Sequence, residues 1–159
     1  MCDYSLMAVP NRLAREGEEL VTHRFPTGSL GLASPDEVRR ATGPRPAMRK
    51  TVWQRLAEFF DPPAAPAVCA VCVAPGTRLG VTEIPARLRV QWGLDSQEDA
   101  VFTQISANVH QYRDAIRFAG GREVRLQELG EGLRVRVLDT TGTEEAVLGG
   151  DRSLTGAAR

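Results

Sequence analysis

The stretch "LRVRVL" (residues 133–138) decides the fold class of this 159-residue chain. Apolar residues at 133, 135 and 137 alternate with arginines at 134 and 136, so a β-strand here has one apolar and one charged face. Upstream, Gly120 and Gly121 predict a tight hairpin, because glycine adopts positive φ without steric cost. The stretch "REVRLQEL" (122–129) then reads as the preceding strand. This region therefore predicts a sheet with one buried face.

The same pattern extends backwards to residue 67. Further strand candidates are "AVCAVCV" (67–73), "RLGVTEI" (78–84), "AVFTQIS" (100–106) and "VHQYRDAIRF" (109–118), and "PARLRVQWG" (85–93) predicts one helix. Strands joined by short glycine-rich turns predict a mainly β protein, a small antiparallel barrel or sandwich with one or two short helices.

The remaining chain divides by composition into flanking segments. Residues 1–33 contain "EELVTHRF" (18–25), which predicts an N-terminal strand segment that packs on the core. Residues 34–66 predict a linker that carries an amphipathic helix at 51–60, and residues 67–139 form the β domain. The small, polar residues of 140–159 predict a disordered tail.

The overall composition indicates the cellular compartment and the class of partner. The formal net charge is zero, so no global field attracts nucleic acid. The sequence has no apolar run long enough for a transmembrane segment and no secretory signal pattern, which favours the cytoplasm. In that compartment we expect the three cysteines to be reduced, which argues against a disulfide scaffold.

Cys69 and Cys72 form a C-x-x-C pair with the spacing of redox and zinc motifs. The residues between and after them are typical of a strand, however, and residues three apart in a strand point to opposite faces. We therefore expect one of the two to fill the core and the other to face a different neighbour.

A wider set of soft ligands suggests a metal site. Cys2, His23 and either Cys72 or Cys69 would suit a zinc, iron or copper ion. The alternative is that His23 bonds to backbone on a half-exposed strand while the cysteines act as small apolar residues. His110 is the other histidine that such a site could use.

Two further segments carry alternative hypotheses. The helix "TVWQRLAEFF" presents Trp53, Leu56, Phe59 and Phe60 on one side, which would dock a partner protein or cover the open end of the barrel. Cys2, after removal of Met1, would pair a thiol with a free amine, as in N-terminal cysteine hydrolases. The arginines of the C-terminal hairpin alternate with glutamates and indicate a solvated face rather than a nucleic-acid site.

The chain resembles a family of small uncharacterised bacterial proteins that begin "MCDYSL". The resemblance extends to "HRFPTGS", "AVCVAPG" and "GREVRLQELGEGLRVRVL". It implies a defined domain and a pattern centred on Cys72 rather than on the C-x-x-C pair, and it transfers no catalytic residue.

The first functional hypothesis is a non-enzymatic cytoplasmic β protein with a thiol-centred site. Cys2 and Cys72, with His23, would bind a soft metal or sense redox state. The alternatives are an interaction module that uses the helix at 51–60 and an N-terminal cysteine hydrolase.

Overall fold

A computed structural model describes residues 6, 8–43, 67–106, 108 and 111–140. Within these residues, nine strands and three helices are present. In chain order they are β1 (Asn11–Leu13), β2 (Glu19–Arg24), β3 (Leu30–Ala33), α1 (Pro35–Thr42), β4 (Ala70–Cys72), β5 (Arg78–Thr82), α2 (Ala86–Trp92), β6 (Gln97–Gln104), β7 (Asp114–Phe118), β8 (Glu123–Arg125), α3 (Leu126–Leu129) and β9 (Arg134–Asp139).

The strands of the described residues form one curled sheet, a half-barrel, in the order β1-β4-β3-β2-β9-β5-β6-β7-β8. Among these described strands, only β1 and β4 pair in parallel, and the other neighbours pair antiparallel. The prediction of a mainly β, antiparallel fold is confirmed. The N-terminal strands belong to the same sheet as the strands after residue 67.

The main hydrophobic core covers one face of the sheet, which we call the inner face. Val135 and Val137 are buried there while Arg134 and Arg136 point away, as the alternation in β9 predicted. Thr22 is also buried, and its hydroxyl donates to the Gly130 carbonyl at 2.7 Å and accepts from the Leu133 amide at 2.9 Å. The start of β9 is therefore fixed against β2.

The stretch "REVRLQEL" divides into a strand and a helical turn rather than forming one strand. β8 ends at Arg125, and Leu126 and Leu129 are both buried from α3. Three-residue spacing places both leucines on one side of a helical turn, which explains the change of structure. Gln127 lies between them, and its amide binds the backbone N and O of Leu30 at 2.9 and 2.8 Å. Helix α3 thereby supplies hydrogen-bond partners for both backbone groups of Leu30, the first residue of β3.

Residues 35–42 form helix α1, within the segment that composition alone predicted to be a linker. Proline at the start of the helix loses no hydrogen bond, and acidic residues in the first turn with arginines in the last suit the helix dipole. No residue of α1 is fully buried. The helix at 85–93 was predicted correctly, and α2 ends at Gly93 in a left-handed conformation.

The opposite face of the sheet, which we call the outer face, carries a second and smaller apolar cluster. This outer cluster consists of Leu6, Phe25, Ala33 and Ala70. Val9 and Val38 pack against it from the N-terminal segment and from α1. None of the helices in the described part of the chain is long and apolar enough to span a membrane.

Candidate functional site

Cys72 is the last residue of β4, which lies between β1 and β3. It pairs with Leu13 of β1, and the side chain is buried with 6% of its surface exposed. Cys72 is disulfide-bonded, whereas Cys69 is a free cysteine. The expectation that every thiol would be reduced is therefore wrong for Cys72. Composition indicates a compartment but carries no information on which side chains the fold brings together.

Alternation along β4 places Cys72 on the outer face. Val71 and Val73 belong to the main core on the inner face, and Ala70 belongs to the outer cluster. Residues two apart in a strand share a face, so Cys72 lies on the same side as Ala70. Its sulfur is therefore on the side of the sheet that the N-terminal segment covers.

The N-terminal segment reaches this face through Leu6, which is 4% exposed. The Val9 amide donates to the Leu6 carbonyl at 3.0 Å, and the Pro10 carbonyl accepts from the Ala70 amide at 2.8 Å. These bonds connect Leu6 to Val9, and Pro10 to the start of β4. Leu6 occupies a notch at Gly31, where a Cβ would lie 2.6 Å from the Leu6 Cδ1 atom and 3.0 Å from the Phe25 ring.

His23 lies on the outer face of β2, with β3 between it and β4. It pairs with Gly31, its Nδ1 atom is 3.0 Å from the Glu131 carboxylate, and its ring contacts Phe25 edge-on at 5.1 Å. Two strand spacings of about 4.8 Å separate β2 from β4. The fold thus places His23 and Cys72 on one face, with Leu6 and Phe25 filling the notch at the intervening Gly31.

Cys69 precedes β4 and has different surroundings from Cys72. Its amide donates to the Glu37 carboxylate at 2.8 Å, and its Sγ atom lies 3.6 Å from the Ala70 carbonyl. Partial burial, together with the negative charge of Glu37, raises the pKa of the Cys69 thiol. The protonated thiol is the favoured form, which is the less reactive one.

Several predicted site residues lie outside the described residues. Cys2, His110 and the whole helix at 51–60, with Trp53, Leu56, Phe59 and Phe60, are in this group. Within the described residues, no group of three or more His, Cys, Asp or Glu side chains is arranged to hold a metal ion. The zinc, iron or copper site thus stays a prediction, since it requires Cys2.

Sequence reasoning missed the residues that make contacts near the two ends of β4, on the outer face and beside Cys69. Gly31 interrupts an otherwise apolar strand, "LGLA", and a strand glycine is a known signal for close approach of another group. Leu6 and Glu37 carry no comparable signal, because each acts through a contact that is distant in sequence.

The chain was compared with protein-family models, curated proteins and solved structures, and none of them matches it.

Proposed function

We propose that this protein is a non-enzymatic, redox-responsive β-domain protein whose switch is a reversible disulfide between Cys72 and Cys2. The observation that carries the proposal is the disulfide-bonded state of Cys72, a buried residue on the face that the N-terminal segment covers. The sequence has three cysteines and Cys69 is free, so Cys2 is the remaining partner within one chain.

Chain length is compatible with this pairing. Cys2 precedes Leu6 by four residues, which span at most about 14 Å when fully extended. Leu6 is anchored in the outer cluster together with Ala70, two residues before Cys72. A disulfide needs Cα atoms within about 7 Å of each other. The anchor at Leu6 thus keeps Cys2 within reach of the end of β4.

The chemistry needs an external oxidant, for which a low-molecular-weight disulfide is sufficient. Thiolate attack on that compound forms a mixed disulfide and releases one small thiol. The second protein thiol then displaces the second small thiol, and the protein S–S bond forms. Two electrons and two protons pass from the protein to the small molecule. In the cytoplasm, which remains a prediction for this chain, such disulfides are typically transient and redox-sensing.

Soft-metal binding by the same thiols is the other branch of the hypothesis. A metal ion needs Cys72 as a thiolate, so only the reduced protein could bind zinc, iron or copper. The disulfide-bonded state of Cys72 favours the redox branch. The partner-docking helix and the N-terminal hydrolase have no comparable observation in their support.

A thiol count tests the proposal. Protein equilibrated with oxidised glutathione is denatured under non-reducing conditions and labelled with maleimide-polyethylene glycol, in parallel with fully reduced protein. We expect one label on the oxidised protein, at Cys69, and three on the reduced protein. Cys69→Ser serves as the matched control and should lose one label in both states. Three labels on the oxidised protein would contradict the redox branch.

A further inference from the structure

Cys72 has a leucine on each side of its strand, and the two leucines differ in exposure. Leu13 is the register partner of Cys72 on the edge strand β1, and it is 69% exposed. On the other side, Leu6 is buried in the notch at Gly31 of β3. The β1 side is therefore open to solvent, and the burial of Cys72 depends on what lies over the outer face on the β3 side.

The register of β3 and β4 places the notch beside Cys72. Ala33 of β3 pairs with Ala70 of β4, and the two strands are antiparallel. Gly31 and Cys72 each lie two residues from this pair, in the same direction in space, and residues two apart share a face. Neighbouring strands are about 4.8 Å apart. Leu6, which occupies the space of a Gly31 side chain, is therefore the neighbour of Cys72 in this row.

Leu6 is held in the notch by contacts other than the disulfide. Its Cδ1 atom and the Phe25 ring both lie within 3.0 Å of the position that a Cβ on Gly31 would take, so Leu6 is packed closely into the sheet. Its carbonyl accepts a hydrogen bond from the Val9 amide at 3.0 Å. We expect these contacts to persist after reduction, with Leu6 still beside the Cys72 thiol.

We propose that Leu6 makes Cys72 the resolving thiol of the switch, which attacks a disulfide on its own chain but not one in solution. The order of the two steps rests on the proposed disulfide between Cys72 and Cys2. The Cys2 thiolate attacks the external disulfide RSSR, forms Cys2–S–S–R and releases RS⁻. Cys72 then loses its proton and attacks the Cys2 sulfur, so the protein S–S bond forms and the second RS⁻ leaves. Leu6 is thus a positioning residue that shields one thiol from external disulfides.

The test measures Cys72 alone, in the full chain with Cys2→Ser and Cys69→Ser. The probe is oxidised glutathione, and intact mass gives the rate at which one glutathione is added, in the folded protein and in urea. We expect the folded protein to react at least about tenfold more slowly, because exchange requires access to the sulfur. The smaller 2-hydroxyethyl disulfide should show less protection. Equal rates in folded and unfolded protein, or protection that does not depend on reagent size, would overturn the proposal.

Variants of the two leucines in this background assign the protection to one side of Cys72. Leu6→Ala should raise the rate several-fold, whereas Leu6→Met nearly preserves the volume and should keep the protection. Leu13→Ala is the matched control, since it truncates the exposed leucine on the other side. Leu6→Val gives the same comparison if Leu6→Ala does not fold. Leu6 variants that react no faster than Leu13→Ala would refute the shielding.

The converse variant, with Cys69→Ser and Cys72→Ser, tests the order of the steps. Cys2 should take up one glutathione faster than the isolated Cys72 does, and a Cys2 that reacts no faster would contradict this order. Failure of the proposed disulfide has a different result. The native chain would then keep three thiols with oxidised glutathione, whatever the rate at the isolated Cys72.

Discussion

The Cδ1 atom of Leu6 lies 2.6 Å from the position that a Cβ atom on Gly31 would occupy. The N-terminal segment therefore packs on the sheet through Leu6, whose side chain fills the space left by Gly31, which has no side chain. This contact holds Leu6 on the face where Cys72 lies, and it connects the fold with the proposed switch.

Gly31→Ala should destabilise the protein by about 1–3 kcal/mol, because the added methyl group overpacks against Leu6 and Phe25. The measurement is urea unfolding of the reduced protein. Gly80→Ala is the matched control, since it is also a strand glycine but its Cβ would have only an ordinary contact at 3.6 Å. If the two substitutions lower the free energy of unfolding equally, Leu6 does not pack closely against Gly31.

Leu6→Ala should cost about 2 kcal/mol, since Leu6 is buried in the outer cluster. The informative measurement is the double variant with Gly31→Ala. We expect the cost of Gly31→Ala to fall in the Leu6→Ala background, because the nearer of the two clashing side chains is gone while Phe25 remains. Additive effects would indicate that the two positions act separately.

Gln127→Glu should weaken the contact between α3 and β3, because it removes one of the two hydrogen bonds to Leu30. A carboxylate can still accept from the Leu30 amide but cannot donate to the Leu30 carbonyl, as the native amide does at 2.8 Å. We expect a loss of about 1–3 kcal/mol and faster hydrogen exchange at the Leu30 amide. Gln111→Glu, at an exposed position, is the control and should change neither. Protection of Leu30 that survives in Gln127→Glu would refute this function of the side chain.

The Arg12–Glu18 pair should make stability depend on pH under acidic conditions. The hydrogen bonds from Arg12 hold the pKa of the Glu18 carboxyl below its usual value, which is about 4.3. A lowered folded-state pKa adds stability that is fully present above the unfolded value and is lost as pH falls through the folded value.

Arg12→Gln tests this relationship. Urea unfolding at about pH 6 and about pH 3 should show a smaller loss of stability on acidification in Arg12→Gln than in the native chain. Arg39→Gln breaks a pair in which both side chains are mostly exposed, and it serves as the control. If both variants have the same pH dependence as the native chain, the Arg12–Glu18 pair does not contribute in this way.

Cys69 should react slowly with iodoacetamide in the folded protein. Partial burial is the larger cause of its raised pKa, and Glu37 is the next. Glu37→Gln removes the charge while its amide oxygen can still accept from the Cys69 amide. Alkylation at about pH 8 should therefore become faster, because more thiolate is present. A rate that stays the same in Glu37→Gln would exclude the electrostatic contribution.

The fold class could be predicted because its signals are local. The alternation in β9 and the turn at Gly120 and Gly121 depend only on neighbouring residues, and both are found in the structure. The helical turn at Leu126 was missed because its three-residue spacing lies within a stretch that also alternates. The helix at Pro35 was missed because its start and end signals stood within a segment of polar composition.

The site could be predicted only in outline. Strand geometry correctly suggested that Cys69 and Cys72 have different neighbours, and the structure places one near Glu37 and the other on the outer face near Leu13. The glycine in "LGLA" indicates close approach of another group, but its occupant, Leu6, could not be predicted, since it lies 25 positions away in the chain. Long-range contacts of this kind leave no periodic signal in a sequence.

The disulfide partner of Cys72 is the most direct test of the central claim. Tryptic digestion under non-reducing conditions separates Cys2 from the other two cysteines, which share the peptide of residues 56–78. The Cys69→Ser variant removes that ambiguity. We predict a cross-linked pair of peptides 1–12 and 56–78 in oxidised Cys69→Ser, absent from Cys72→Ser and lost on reduction. A peptide 1–12 that carries a free Cys2 thiol in the oxidised protein would contradict the proposed switch.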